Sequence, residues 1–353
     1  MNDTQHGGQV YQFAQTQNNS TEQTLKTVLD FSASINPIQP QIHWPKLTRA
    51  AQAQLIHYPD TEQRALTHAI AKRFSLNAQQ VTLTNGISSA ILQLFSELKP
   101  DTTLLFTPIY SEYQRAAHKH STHVIECRQW NAPLPTSLTQ NSVVVLVNPS
   151  TPEGIFTPPK DLEPLLKQVA KCNCWLLVDE SFLPFIGFQA NLSLRPQLNQ
   201  HPKWMVLQSL TKYYACPGIR IGALFAAPKT LIPFTWPAWP ISVLDEQFML
   251  HALSDVQHDQ NTHCFLQSET RPFIKALKQS PFIAHIYPSQ ANFILAKTHV
   301  KAAWLAEQLK AHRILIRDCH SFGLGENHVR IAIKSNPQNQ QLITALKVLS
   351  LKQ

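Results

Sequence analysis

The stretch "SLTKYYACPGIRIG", residues 209–222, sets two cations, Lys212 and Arg220, among hydroxyls, aromatics and two of the chain's nine glycines. Lys212 follows the apolar run "WMVLQ" (204–208), so it falls where a strand is expected to end. Placing a lone lysine there is costly. One reading is a side chain that snorkels from a strand end into water. The other is a partly desolvated amine that loses its proton readily and attacks a carbonyl. Arg220 presents a planar fork of donors suited to phosphate, with Ser209 close by.

Outward from this stretch, strand and helix patterns alternate. "VTLTN" (81–85) reads as a strand and "ISSAILQLFSEL" (87–98) as an amphipathic helix. "TLLFTP", the helical "SEYQRAAHKH", "HVIECR", "SVVVLVNPS", the helical "KDLEPLLKQVAKC", "CWLLVDES", "WMVLQSLTK" and "IRIGALFAA" continue the series. Near-continuous apolar strands separated by helices indicate an α/β domain with a mostly parallel sheet between helices. It is expected over residues 48–240, closing at the proline-rich joint "PFTWPAWPIS" (233–242), whose Trp236 and Trp239 would pack the domain seam. Residues 241–353 read as a smaller α+β domain, and residues 1–47 as an irregular segment packing on it.

Composition narrows the function classes. With 353 residues, 43% hydrophobic and 15% charged, the chain is globular and large enough for a sizeable core. A net charge of +8 favours anionic partners, but the cations are scattered, which argues against nucleic acid and fits phosphate-bearing small molecules. The six cysteines form no C-x-x-C pair; Cys172 and Cys174 would share one face of a strand, and reduced thiols suit a cytoplasmic chain. "MNDTQHGGQV" lacks the basic and apolar parts of a leader, and runs such as "VVVLV" are too short to span a bilayer, so no membrane is expected. His118, His120 and His123 lack Cys or carboxylate partners and read as a solvated turn, with no metal.

Two further stretches carry chemistry. In "LTNGISSA" a strand ends at Asn85, Gly86 turns the chain, and Ser88 and Ser89 fall in the first helical turn. That is an anion site of free N–H groups and hydroxyls, or an ordinary helix cap. "WLLVDESF" ends a strand in Asp179 and Glu180, where ligands of open α/β sheets bind. Such a carboxylate binds a metal, acts as a base, holds a proton on a ligand nitrogen, or merely caps a helix or sits on a surface loop. A phosphate cup, a carboxylate and an amine together match the needs of pyridoxal 5′-phosphate.

The order N-G, N-P-x-x-P-x-G, D-E-x-[FY] and S-x-T-K-x-x-x-x-P-G-x-R-x-G resembles the aspartate-aminotransferase superfamily, fold type I, over nearly the whole chain. "HGG" (6–8), "DFSASINP" (30–37), "HYPD" (57–60), "TPIYSEY" (107–113) and "ILIRDC" (314–319) narrow the likeness to threonine-phosphate decarboxylases of cobalamin biosynthesis. Histidinol-phosphate aminotransferases resemble it too, sharing the lysine motif and "VRIAI" (329–333).

The resemblance implies roles by position. Lys212 would form the Schiff base and Asp179 would partner the pyridinium, with Tyr110 stacked on the ring. Gly86, Ile87, Ser88, Ser209 and Arg220 would surround the cofactor phosphate. Tyr58 would reach the phosphate of a neighbouring subunit, implying a homodimer with shared sites. Arg330 would take the substrate carboxylate, while His6, Gly7, Ser34 and Arg317 match contacts to a phosphorylated amino-acid substrate. The implied reaction is decarboxylation of L-threonine O-3-phosphate to (R)-1-amino-2-propanol phosphate and CO2. The alternatives are transamination of a substrate such as histidinol phosphate, or a pyridoxal-phosphate protein that has lost its catalysis. Two positions depart from the usual pattern. Thr151, after Ser150, stands where an asparagine donates to the cofactor's 3′ oxygen, and Phe182 stands where many aminotransferases have tyrosine.

Overall fold

Residues 6–17 and 20–350 are described by the computed structural model; the first five residues, part of the stretch read for a leader, lie outside them. The chain divides into two compact units, the smaller from residues 1–37, 152–155 and 261–353 and the larger from residues 38–151 and 156–260. These bounds differ from those expected at 47 and 240. Residues 241–260 join the larger unit because their helix buries Met249 and Ala252 completely and packs on the two helices of residues 44–73. Residues 38–47 follow them, with Gln41 N–H donating to Asp255 Oδ2 at 2.8 Å.

Helices α1 (Val10–Gln15) and α2 (Thr21–Thr27) and strand β1 (Leu29–Asp30) open the smaller unit. The larger unit then runs α3 (Trp44–Gln54), α4 (Arg64–Arg73), β2 (Val81–Thr84), α5 (Gly86–Leu98), β3 (Thr102–Phe106), α6 (Ser111–His120) and β4 (His123–Cys127). It continues with β5 (Val143–Val147), α7 (Pro159–Cys172), β6 (Trp175–Asp179), β7 (Trp204–Ser209), β8 (Gly222–Ala226), α8 (Pro228–Leu231) and α9 (Val243–Ser254). After α10 (His258–Leu277), the smaller unit resumes with β9 (Ile283–Ile286), β10 (Phe293–Thr298), α11 (Ala302–Lys310), β11 (Ile314–Leu315), β12 (Arg317–Asp318), β13 (His328–Ala332) and α12 (Asn336–Ser350).

The larger unit's sheet has seven strands in the order β2-β8-β7-β6-β5-β3-β4. The pairs among β3 to β7 are parallel; β8 runs antiparallel to both of its neighbours. Every residue of β3, β5, β7 and β8 is buried, which is why these strands read as continuous apolar runs rather than alternating ones. One face packs on Ile91, Leu94 and Phe95 of α5 and on Tyr113, Ala116 and Ala117 of α6. The mostly parallel sheet with helices packed on it agrees with the α/β architecture expected from the motifs.

In the smaller unit, β12-β13-β10-β9 form an antiparallel sheet and β1 pairs in parallel with β11. Phe31, just after β1, packs in the same core as Phe273 and Leu277 of α10 and Ile331 of β13.

Three local readings change. Cys172 closes α7, Asn173 turns the chain at φ +52°, and Cys174 is buried ahead of β6, so the two cysteines do not share a strand. All six thiols are free. His118 and His120 belong to the last turn of α6 and His123 opens β4, so they are not one turn. Among the described residues no group of three or more His, Cys, Asp or Glu side chains gathers as for a metal, and no helix is long and apolar enough to cross a membrane.

Candidate active site

Register decides where the larger unit gathers its polar side chains. Asp179 lies level with Val147 and Leu207, and Gly222 with both Ser209 and Thr84. The carboxyl ends of β2, β5, β6 and β7 therefore share one edge of the sheet. Neighbouring strands stand about 4.8 Å apart, so residues just past these ends come within the span of one small molecule.

Asp179 ends β6 with its side chain buried. Tyr113 Oη donates to its Oδ2 at 3.0 Å and Ser181 N–H to its Oδ1 at 2.9 Å. Burial, then the adjacent Asp179, pushes the Tyr113 phenol well above its usual range, so it remains a donor. The next carboxylate has a different task. Glu180 accepts from Ser193 Oγ at 2.5 Å and Leu194 N–H at 3.0 Å, pinning a loop on the other side of the strand. Burial raises its pKa. Of the two readings for this pair, Glu180 takes the structural one.

The turn between β2 and α5 supplies the cup. Gly86 adopts φ +69°, and a Cβ there would lie 2.6 Å from Arg220 Nη2. A Cβ on Gly222 would lie 2.7 Å from the backbone N of Ile87. Two bare glycines thus let Arg220, the amide of Ile87 and the start of α5 crowd together, where the helix presents unpaired N–H groups. Ser88 Oγ is 3.1 Å from Tyr110 Oη, whereas Ser89 Oγ turns back and donates to the Asn85 and Gly86 carbonyls, 2.8 Å from each, so it neither caps the helix nor faces the cup. Tyr110 precedes α6; burial raises its pKa, with the Ser88 hydrogen bond opposing. Ser209 is buried at the end of β7, with its N–H on Ser181 Oγ at 3.0 Å and its Oγ 3.1 Å from Thr211 Oγ1.

Lys212 stands three residues past β7, in a turn, with its Nζ 5.2 Å from the centre of the Phe182 ring. The ring presents a π face to the amine where a tyrosine would have added a hydroxyl. Thr151 is buried four residues past β5, in the loop that leads to α7. Asn148 pins the near end, exchanging two 2.8 Å hydrogen bonds with the Thr157 backbone. Tyr58 lies at the surface of the larger unit. It is 79% exposed and stacks on Trp239 at 4.5 Å, so Trp239 serves Tyr58 rather than a buried seam.

The smaller unit gathers the remaining positions. Arg317 and Arg330 are direct partners across β12 and β13, so two like charges share one face, an arrangement unfavourable unless anions answer it. Arg317 Nη2 donates to Ser321 Oγ at 2.7 Å and Arg330 Nη2 to the Ser32 carbonyl at 3.2 Å. Burial, and then the Arg317 cation beside it, pull Arg330 down to about 10, still charged at neutral pH. The segment after His6 docks on the same residue: Gly8 N–H donates to Ser32 Oγ at 2.8 Å, and a Cβ on Gly7 would lie 2.2 Å from Ser32 O. Ser34 is buried, its carbonyl accepting from Asn292 Nδ2 at 3.1 Å.

Sequence reasoning missed Tyr113, Asp30 and Ser32. Asp30 Oδ1 accepts from Ser32 N–H at 2.9 Å and Ser32 Oγ at 2.5 Å, so it sets the residue that holds Gly8 and Arg330. The spacing D-x-S, a side chain capping the backbone two residues on, was the available signal. For Tyr113 it was the i, i+3 spacing from Tyr110.

The sequence profile of the family described as "Aminotransferase class I and II" matches residues 26–349. The chain belongs to that family. Class I and II aminotransferases depend on pyridoxal 5′-phosphate, and this chain's residues fit it: an amine, a buried carboxylate, and a glycine-walled cup lined by Arg220 and the start of α5. Pyridoxal 5′-phosphate is its cofactor. The threonine-phosphate decarboxylase of Salmonella typhimurium is 30% identical over 97% of this chain and 95% of its own. The histidinol-phosphate aminotransferase of Clostridium acetobutylicum superposes with a TM-score of 0.82 at 24% identity, covering 92% of this chain and 100% of that one. That of Sinorhizobium meliloti, solved in complex with pyridoxal-5′-phosphate, gives 0.78 at 17% identity over 96% and 97%.

Proposed function

We propose that this protein decarboxylates L-threonine O-3-phosphate to (R)-1-amino-2-propanol phosphate and CO2, a step of cobalamin biosynthesis. The observation that carries this reading is the Arg317–Arg330 pair, which asks for two anionic groups on one substrate. Threonine phosphate has a carboxylate and a phosphate. Histidinol phosphate has only the phosphate, so transamination would need the second arginine for its keto-acid partner alone. The similarity to the Salmonella decarboxylase supports the same choice.

When bound, pyridoxal phosphate supplies an electron sink conjugated to the substrate's amino carbon. The chain's residues do the rest. Arg220, Ser209, Ser88, Ile87 and Gly86 hold the cofactor's phosphate, and Tyr110 covers its ring. Asp179, steadied by Tyr113 and Ser181, keeps a proton on the ring nitrogen. Lys212 anchors the cofactor through its amine and later returns a proton to the carbon that has lost CO2. Thr151 offers a hydroxyl to cofactor and substrate. Arg330 takes the carboxylate, while Arg317, His6, Gly7 and Ser34 take the substrate phosphate. By fixing both anions, the arginines turn the carboxylate rather than the Cα–H bond into the orientation that breaks. Two copies of the chain pair, and exposed Tyr58, braced by Trp239, reaches the partner's cofactor phosphate.

The test is direct. Cofactor-loaded protein is given threonine phosphate, then histidinol phosphate with 2-oxoglutarate, and CO2 and glutamate are measured. CO2 without glutamate is expected; glutamate from the second mixture would move the assignment to transamination. Cofactor binding with neither product points to a scaffold without catalysis. The Lys212→Ala variant should lack the visible band of the lysine-anchored cofactor.

A further inference from the structure

The turn that carries Lys212 has little regular structure of its own. Tyr214 N–H reaches Leu210 O, Cys216 N–H reaches Thr211 O, and Ala215 sits at φ +53°. What ties the turn down are the two residues after the lysine. Tyr213 Oη donates to Asp259 Oδ1 at 2.8 Å, and its carbonyl accepts from His258 Nε2 at 3.1 Å. Tyr214 Oη accepts from Arg73 Nε at 3.1 Å, and Arg73 Nη2 donates to Asp259 Oδ2 at 2.5 Å. The wholly buried Tyr213 ring meets Phe185, Phe188, Tyr214 and His258 edge-on at 5.2–5.3 Å.

A phenylalanine at 213 would fill this aromatic cage without desolvating a phenol. The phenol, the half-buried Arg73–Asp259 pair and the histidine are therefore more polar apparatus than packing requires. They hold the side chain of Tyr213, its carbonyl and the next side chain, so the peptide following Lys212 is fixed on three sides.

We infer that Asp259, supported by Arg73 and His258, is a positioning residue that sets the Lys212 amine by clamping Tyr213. This rests on the reading that Lys212 anchors the cofactor. A shift of about 1 Å in a reacting group costs up to roughly a hundredfold in rate, so a turn free to slide would place the amine poorly.

Tyr213→Phe removes one oxygen and keeps the ring; Asp259→Ala removes the acceptor, and Asp259→Asn keeps an oxygen for the phenol. The readouts are the cofactor dissociation constant, the pH midpoint of the bound cofactor's visible band, and melting temperature. Thr103→Val, which deletes the Thr103–Ser121 bond elsewhere in the sheet, is the stability control. Tyr213→Phe and Asp259→Ala are expected to weaken cofactor binding about tenfold and to move the midpoint by about half a unit. Asp259→Asn should recover the midpoint, and the control should lower only the melting temperature. If Tyr213→Phe and Asp259→Ala keep the wild-type midpoint and affinity and merely melt earlier, the network is only structural and the inference fails. A visible band surviving Lys212→Ala would instead overturn the reading of the lysine itself.

Discussion

At Gly86 and Gly222 the backbone comes closer to its neighbours than any side chain allows, and the two contacts differ in kind. The Cβ of an alanine at 86 would meet the tip of a flexible arginine but at φ +69°, a conformation costing about 1–2 kcal/mol for an L residue. At 222 it would meet backbone atoms of residues 86 and 87 at 2.7–2.8 Å, which cannot swing aside. At 218 it would meet nothing within 4 Å. Gly86→Ala should weaken cofactor binding about tenfold by displacing Arg220. Gly222→Ala should do the same, and its clash with backbone should cost about 1–3 kcal/mol of folding stability, beside the about 1–2 kcal/mol that strain costs at 86. Gly218→Ala should leave both unchanged. Titration of cofactor-free variants with pyridoxal phosphate, beside urea unfolding, separates the three. A second prediction belongs to Tyr113, whose phenol donates to Asp179 Oδ2 at 3.0 Å. Tyr113→Phe should cut turnover about tenfold while leaving cofactor affinity within about twofold, because one hydrogen bond to a charged group contributes about 1.5–3 kcal/mol and Ser181 N–H still holds the other oxygen.

The strand ends can place these residues only if the sheet beneath them is rigid. Leu177 in the middle of β6 is completely buried and shares its core with Leu105, Val145 and Met205 of neighbouring strands. Leu177→Ala should therefore cost about 2–5 kcal/mol, seen as a lower urea midpoint. Its effect on cofactor affinity should be small under conditions where the variant remains folded. The same burial explains what the sequence made legible. Strands covered on both faces read as unbroken apolar runs, so their existence and order along the chain could be read directly. The reversed direction of β8 could not, because side chains alternate identically whichever way a strand runs. Asp179 could be placed at a strand end and Lys212 just past one for the same reason. Tyr113 could not be joined to Asp179, since the bond spans 66 residues and neither local pattern mentions the other. The Asp30–Ser32–Arg330 chain was hidden likewise, its last contact crossing 298 residues. The boundary at residue 260 was missed because the proline-rich joint looks like a linker, whereas burial of α9 against α3 and α4 decides the division.

Across the whole molecule the assigned roles are partitioned. Every position proposed for the cofactor, from Tyr58 to Arg220, belongs to the larger unit, while Arg317, Arg330, Ser34, Gly7 and His6 belong to the smaller. Each unit has its own hydrophobic core. Substitutions in the arginine pair should therefore separate substrate binding from cofactor binding. Losing one charge-assisted contact costs about 1.5–3 kcal/mol, or roughly ten- to a hundredfold in affinity. Arg330→Ala and Arg317→Ala should each raise the KM for threonine phosphate by about that factor and leave the pyridoxal phosphate dissociation constant within about twofold. Arg330→Lys should recover little, because a single ammonium cannot replace a planar fork that holds Ser32 O and, in the proposed reading, also takes the substrate carboxylate. Removing one arginine also relieves the like-charge pair on β12 and β13. The single alanine variants should accordingly melt no earlier than the wild-type protein, and by up to about 1 kcal/mol later in free-energy terms. Loss of stability in both variants would mean that the arginines are held in place by their packing on Phe293 and Phe322, and that the pair contributes to the fold rather than to substrate recognition.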